Sequence, residues 1–163
     1  MEKLVLSAQL AVSAATAWIS AQLGILYPVL GVLIAFMIID YCTGMAASKV
    51  EAIDHPDDPA YGWSSAKGAK GIVKKVAYLC VIACAAGVDY VILRVAAEAG
   101  LQPQGKAYFA LLAAIWYILN EALSIAENAG RMGAPVPEWL KKYIAVLKHQ
   151  VDTSAGGEDK EES

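Results

Sequence analysis

The chain has 163 residues, 58% of them hydrophobic and 18% charged, with a mean hydropathy of +0.47. A soluble domain of this size is rarely so apolar. Thirteen basic and sixteen acidic residues leave a net charge of −3, which excludes a nucleic-acid binder working through a broad basic surface.

The apolar residues fall in long uninterrupted runs. From Leu4 to Tyr27 there are 24 consecutive residues without a charge. A helix rises about 1.5 Å per residue, so such a run can cross a hydrocarbon core roughly 30 Å thick. Met1-Glu2-Lys3 followed by an Ala15-Thr16-Ala17 site has the outline of a cleavable leader. The apolar stretch continues past Ala17 through Trp18, Ile19, Leu23 and Ile25, however, and the segment is predicted to stay as a first span, about 4–27. Ser7, Ala11 and Ala15 line one of its faces and Ser13, Ala17 and Ala21 another. Small residues at that spacing let helices approach closely in lipid.

Gly24 and Pro28 predict a tight turn, after which a second span covers about 29–47 and contains Asp40. A polar stretch from Ser48 to Gly71, dense in Pro and Asp around Asp54 to Pro59, reads as a loop. A third span, about 72–97, carries Asp89 and Arg94 near its far end. A fourth, about 107–126, carries Asn120 and Glu121. After a break from Gly130 to Pro137, Trp139, Leu140, Tyr143, Ile144 and Leu147 recur at helical spacing with lysines opposite. Residues 131–150 are therefore predicted to form a cytosolic segment with a short amphipathic helix, suited to the membrane surface or to packing on the protein's own loops. Residues 151–163 are polar and acidic and are predicted to be a disordered tail. The predicted fold class is an all-α integral membrane protein: four transmembrane helices, the amphipathic helix and the tail.

Basic residues set the orientation. With four spans and the amino terminus inside, Lys3, Lys49, Lys67, Lys70, Lys74, Lys75, Arg131, Lys141, Lys142, Lys148 and Lys160 fall on the cytosolic side, leaving Lys106 outside and Arg94 near the outer surface. That asymmetry is what the positive-inside rule demands and predicts both termini in the cytosol.

Asp40, Asp89 and Glu121 are expensive in such segments, about 2.5 to 3.5 kcal/mol each near a helix centre, and should face protein or water. Lys67, Lys70, Lys74 and Lys75 lie at the depth of Asp40 and Glu121 and are the expected partners, with Asn120 as a further one. Asp89, five residues before Arg94, is expected to snorkel or to pair between subunits, with Arg94 a candidate charge partner. These charges could line an aqueous pore, hold the bundle together, or bind a transported ion. Catalysis finds no foothold. Two histidines, His55 and His149, make neither a metal set nor a nucleophilic triad, and Gly68-Ala69-Lys70-Gly71 lacks the Lys-Ser/Thr ending of a phosphate loop. Cys42, Cys80 and Cys84 sit in or beside apolar segments and complete no zinc or iron–sulfur pattern. No enzyme activity, metal or cofactor is expected.

Three blocks in series carry a resemblance. Ile38-Ile39-Asp40-Tyr41-Cys42-Thr43-Gly44-Met45 resembles the Asp-x-x-Thr-Gly signature of the toxin-secretion/phage-lysis holins, of the phage holin family 4 type. So do Ser64-Ser65-Ala66-Lys67-Gly68-Ala69-Lys70-Gly71 and the stretch from Asn120-Glu121 through Gly130-Arg131 to Pro137-Glu138-Trp139. The matching positions are Asp40, Thr43, Gly44, Gly68, Gly71, Asn120, Glu121, Gly130 and Pro137. The resemblance implies a protein of the bacterial cytoplasmic membrane that forms homo-oligomers and opens lesions. Through these a cell-wall endolysin, or in some relatives a toxin, leaves the cell, sometimes under an antiholin's control. The acidic insert around Asp54 to Tyr61 and the acidic tail depart from the usual basic pattern. A small transporter or a structural subunit of a membrane complex is the alternative class.

Overall fold

The computed structural model describes residues 1–58, 61–101 and 108–156, with the side chains of 2–4, 15, 18, 19, 22 and 152–156 left aside. The expected outer Lys106, the tail residues 157–163 with Lys160, and the side chains of Lys3 and Trp18 fall outside the described set. Among the described residues there are five helices and no strand: α1 (Glu2–Leu23), α2 (Leu26–Asp54), α3 (Ser65–Glu98), α4 (Tyr108–Arg131) and α5 (Glu138–Gly156).

Gly24, at φ 55°, supplies the left-handed residue that turns α1 into α2. Pro28 sits in the first turn of α2, where a missing N–H breaks no helical hydrogen bond. α2 and α3 are 29 and 34 residues long, both longer than the expected spans. Ser64 accounts for part of this, because its hydroxyl accepts from the Lys67 N–H at 3.2 Å and starts α3 at Ser65. The Lys67 to Lys75 stretch expected partly as loop is therefore helix. α5 likewise continues to Gly156, beyond the expected limit at 150.

α2, α3 and α4 are each long and apolar enough to cross a bilayer. Their outward sides are apolar, with Val73, Val91 and Val95 at 68%, 58% and 62% exposure, together with Ile34, Ile38, Ile39, Leu79 and Val88. Such a surface suits lipid. The core holds Leu26, Leu33 and Met37 from α2, Tyr78 and Ile82 from α3, and Ala110 and Ala114 from α4. The two fully buried alanines keep α4 thin where it meets its neighbours, so that backbones approach closely. α4 is the hub, in contact with α2, α3 and α5. Among the described residues α1 meets only α2, and Val5, Leu6, Leu10 and Val12 are exposed.

Glycine matters most at the cytosol-proximal crossing of α2 and α3 expected from the basic residues. A Cβ on Gly68 would stand 2.9 Å from the Tyr41 hydroxyl and 3.3 Å from the Trp63 ring, whereas one on Gly71 would meet Tyr41 only at 3.9 Å. Gly68→Ala is expected to destabilise the protein by about 1–3 kcal/mol through overpacking. Gly71→Ala should be neutral or stabilising, since alanine is the better helix former. Thermal unfolding of the two variants in detergent micelles checks the contrast.

Candidate functional site

Helical spacing puts Glu121 and Asn128 on one face of α4, two turns apart, and Asp40 and Thr43 on one face of α2. The α2–α4 packing brings these faces together, and α3 adds Lys75 from the side. The Lys75 ammonium donates to the Asp40 carboxylate at 2.8 Å and also to the Glu121 carboxylate. Glu121 is 1% exposed and Asn128 6%, and Asp40 and Lys75 are mostly covered. The Asn128 amide N–H group donates to Asp40 Oδ1 at 3.0 Å and to the Thr43 hydroxyl at 3.2 Å, while its oxygen accepts from Arg131 at 3.0 Å. Arg131 grips Glu51 with two parallel bonds of 2.7 Å. A continuous polar chain therefore runs Glu51–Arg131–Asn128–Asp40–Lys75–Glu121, tying three helices.

Charge explains why these residues must meet. A lone buried carboxylate is prohibitively costly, and one ammonium shared by two carboxylates offsets most but not all of that. The inner part of the chain, Asp40, Lys75 and Glu121, is formally −1 when all three are ionised. Beside it a recess of 330 Å³ opens, lined among others by Tyr41, Ser48, Trp63, Lys67, Gly71 and Ser124. It offers the bundle a place for water beside the buried charges. A Cβ on Gly44 would lie 3.5 Å from the Asn128 amide, an ordinary contact, so Gly44 borders Asn128 without being required to make room for it.

A second, separate chain runs on the other side of α4. Asn120 donates to the Tyr78 hydroxyl at 2.9 Å and accepts from the Lys148 ammonium at 3.2 Å. Lys74 lies 5.5 Å from the centre of the Tyr78 ring, and Tyr78 stacks on Tyr117 at 3.9 Å. Asn120 thus belongs to this chain and not to the carboxylates as expected, because one residue along a helix turns the side chain by about 100°.

Of the expected lysine partners, Lys75 alone is bonded to the two intramembrane carboxylates among the described contacts. Lys67 donates to the Gly62 carbonyl at 3.0 Å, and Lys70 is exposed. Asp89 does not pair with Arg94. Its two oxygens accept the Phe109 and Ala110 N–H groups at 3.0 and 2.9 Å, so that a carboxylate from α3 caps the start of α4. That position satisfies orphan donors and faces the positive end of the helix. Arg94, five residues on and turned to another side of α3, donates to the Tyr90 hydroxyl at 3.2 Å. Gly130 has open space around its Cβ position, and Pro137 immediately precedes α5. Among the described residues no group of His, Cys, Asp and Glu is arranged to hold a metal ion.

The sequence marks Arg131 and Lys148 only as orienting charges and gives no interior role to Asn128 or Tyr78. For Asn128 the seven-residue interval from Glu121 was the available signal. The others depend on which helices become neighbours.

These features define a helical membrane protein whose apolar exterior encloses a charged, hydrogen-bonded interior. The chain belongs to the bacteriophage holin family, whose family model matches residues 17–149. It is 38% identical over 119 residues to an uncharacterised protein of Halalkalibacterium halodurans, covering 73% of this chain and 77% of that one. It is 33% identical over 130 residues to an uncharacterised protein of Listeria monocytogenes, covering 80% and 75%. An uncharacterised 14.9 kDa protein in the nagH 3′ region of Clostridium perfringens is 31% identical over 119 residues, covering 72% and 75%. No solved structure matches the chain.

Lys75→Met should leave Asp40 and Glu121 buried without their cation and destabilise the bundle by about 3–5 kcal/mol. Adding Asp40→Asn and Glu121→Gln to the same chain should recover most of that loss, because the buried charge is then gone. The folded, monodisperse fraction of each variant after detergent extraction is the measurement.

Proposed function

We propose that this protein acts as a holin: it accumulates in the bacterial cytoplasmic membrane, self-associates and opens lesions through which a cell-wall endolysin, or a toxin, leaves the cell. On this reading α1 is a fourth span, both termini face the cytosol, and a separate antiholin could set the timing. The endolysin is a functional partner that need not touch the chain.

The observation that carries the reading is the polar chain that runs from the exposed Glu51–Arg131 pair inward to the buried Glu121, in a protein of the holin family. The exterior of α2, α3 and α4 is apolar, so a lone protomer presents lipid with a compatible surface. The polar material is inside, beside an open recess. When protomers pack against one another, helices that trade neighbours can turn this face toward a shared lumen, where water replaces the internal partners. Small residues at Ser7, Ala11 and Ala15 support close helix approach between protomers. Eleven of the thirteen basic residues on one side support the orientation.

Induced expression in a bacterium should halt growth abruptly, with collapse of membrane potential and release of a co-expressed muralytic enzyme. Asp40→Asn and Glu121→Gln should shift the onset while membrane levels stay equal to the parent. Continued growth at high membrane levels would defeat the holin reading, and substrate-dependent flux without killing would point to a transporter.

A further inference from the structure

α2 and α3 each pack on α4 far more extensively than on each other. Between them a cleft of 420 Å³ opens, lined by Ile34, Met37, Ile38, Ile72, Val76 and Leu79, and also by Tyr41 and Lys75. Tyr41 and Lys75 line the polar recess of 330 Å³ as well, together with Ser48, Trp63 and Lys67. The two hollows therefore meet at these shared residues. They make one groove, polar at one end and aliphatic at the other.

Helix length sets the depth of each end. α3 has 34 residues and runs about 51 Å, whereas a hydrocarbon core is only about 30 Å thick. Its mostly apolar part from Val76 to Ala97 suffices for the crossing, at about 33 Å. Lys67 and Lys75 then stand in the headgroup layer, and the recess with them. From Tyr41 the cleft continues into the hydrocarbon as far as Ile34, about 10 Å, or two thirds of a leaflet.

Charge completes the match. In the recess Lys75 is shared by Asp40 and Glu121, and Arg131 is held by Glu51. Two cations against three carboxylates leave one negative charge there. Lys67 on the recess lining, with Lys70 and Lys74 exposed on the following turns of α3, outweighs it. Ammonium, hydroxyl and indole groups at Lys67, Ser48 and Trp63 supply the donors that a phosphate requires.

We propose that this groove holds one anionic glycerophospholipid from the leaflet on the lysine-rich side. Its phosphate lies in the recess beside Lys67, Ser48 and Trp63, and one acyl chain fills the cleft against Ile34, Ile38 and Val76. Basic pockets between spans at headgroup level favour anionic lipids, and a zwitterionic one would bring its own cation among the lysines. An aliphatic cleft continuous with the recess is what a lipid needs and a soluble phosphate does not. Bound in this way, the lipid completes the seam that α2 and α3 leave open between themselves.

The test is native mass spectrometry of the full chain in detergent, titrated with phosphatidylglycerol or with phosphatidylcholine of the same acyl chains. One phosphatidylglycerol should bind per chain, at least about fivefold more tightly than phosphatidylcholine. Glycerol 3-phosphate in large excess should not displace it. Lys67→Gln should weaken phosphatidylglycerol binding by about fivefold, the contribution of one lysine near a headgroup. Val76→Trp, which fills the cleft from its lipid side, should abolish binding. Both residues are exposed, so neither change disturbs the core. Lys142→Gln on α5 removes an exposed lysine elsewhere and should bind as the parent does. Equal binding of the two lipids, binding unchanged in Lys67→Gln or in Val76→Trp, an equal loss in Lys142→Gln, or displacement by glycerol 3-phosphate would each overturn the site. No readout involves membrane opening, so the result bears on the lipid alone and leaves the holin reading to its own test.

Discussion

One lysine between two carboxylates is the constraint from which the arrangement of the spans follows. Asp40, Lys75 and Glu121 come from three different helices, and none of them can be left in an apolar interior alone. Each helix is therefore fixed in rotation and in depth by its own charged residue. Asn128 then closes the gap between α2 and α4 by spending its donors on Asp40 and Thr43 and its oxygen on Arg131. Hydrophobic packing among aliphatic side chains could tolerate a helix turned by a few tens of degrees. This cluster could not.

Packing has to accommodate that geometry, and the small residues show how. Ala110 and Ala114 face the core cluster at zero exposure, Ala47 is fully buried, and Gly68 leaves space for Tyr41 and Trp63. Larger side chains at those positions would hold the backbones too far apart for a lysine ammonium to reach both carboxylates. Close approach and the ion cluster are thus one requirement, and the apolar surplus is sent outward, where lipid accepts it. The result is an inverted soluble protein, charged within and aliphatic without.

Much of this was legible in the sequence because hydropathy and charge act locally. Runs of uncharged residues mark the three helices that are long and apolar enough to cross. The expected first span, 4–27, breaks at Gly24 and is not among them in the described residues. Asp40, Asp89 and Glu121 stand out against such runs. The depth of a lysine follows from counting residues, which placed Lys67 to Lys75 beside the two carboxylates. Counting does not give rotation, and rotation chose Lys75 among its neighbours. It also turned Asn120 away from the residue next to it, and directed Asp89 onto the amide groups of α4 where Arg94 had been its natural candidate. Helix ends were misjudged where a cap worked against composition, as Ser64 does for a lysine-rich stretch that otherwise reads as loop. The fold-back of α5 was out of reach, since nothing local distinguishes an amphipathic helix that meets lipid from one that meets a neighbouring helix.

The two polar chains on α4 differ in what parting would leave behind. Separating α2, α3 and α4 strands two carboxylates and an ammonium in an apolar interior, and only the Arg131–Asn128 bond, which lies within α4, survives it. Separating α5 from α4 strands one amide oxygen and releases a lysine to water, while the Trp116 N–H loses nothing because it has nothing. Buried ions without partners cost several kcal/mol, whereas a neutral acceptor costs about 1–3. The hierarchy of motions is thereby set by chemistry alone: the three-helix cluster is the part that holds its shape, and the α4–α5 contact is the part that yields first.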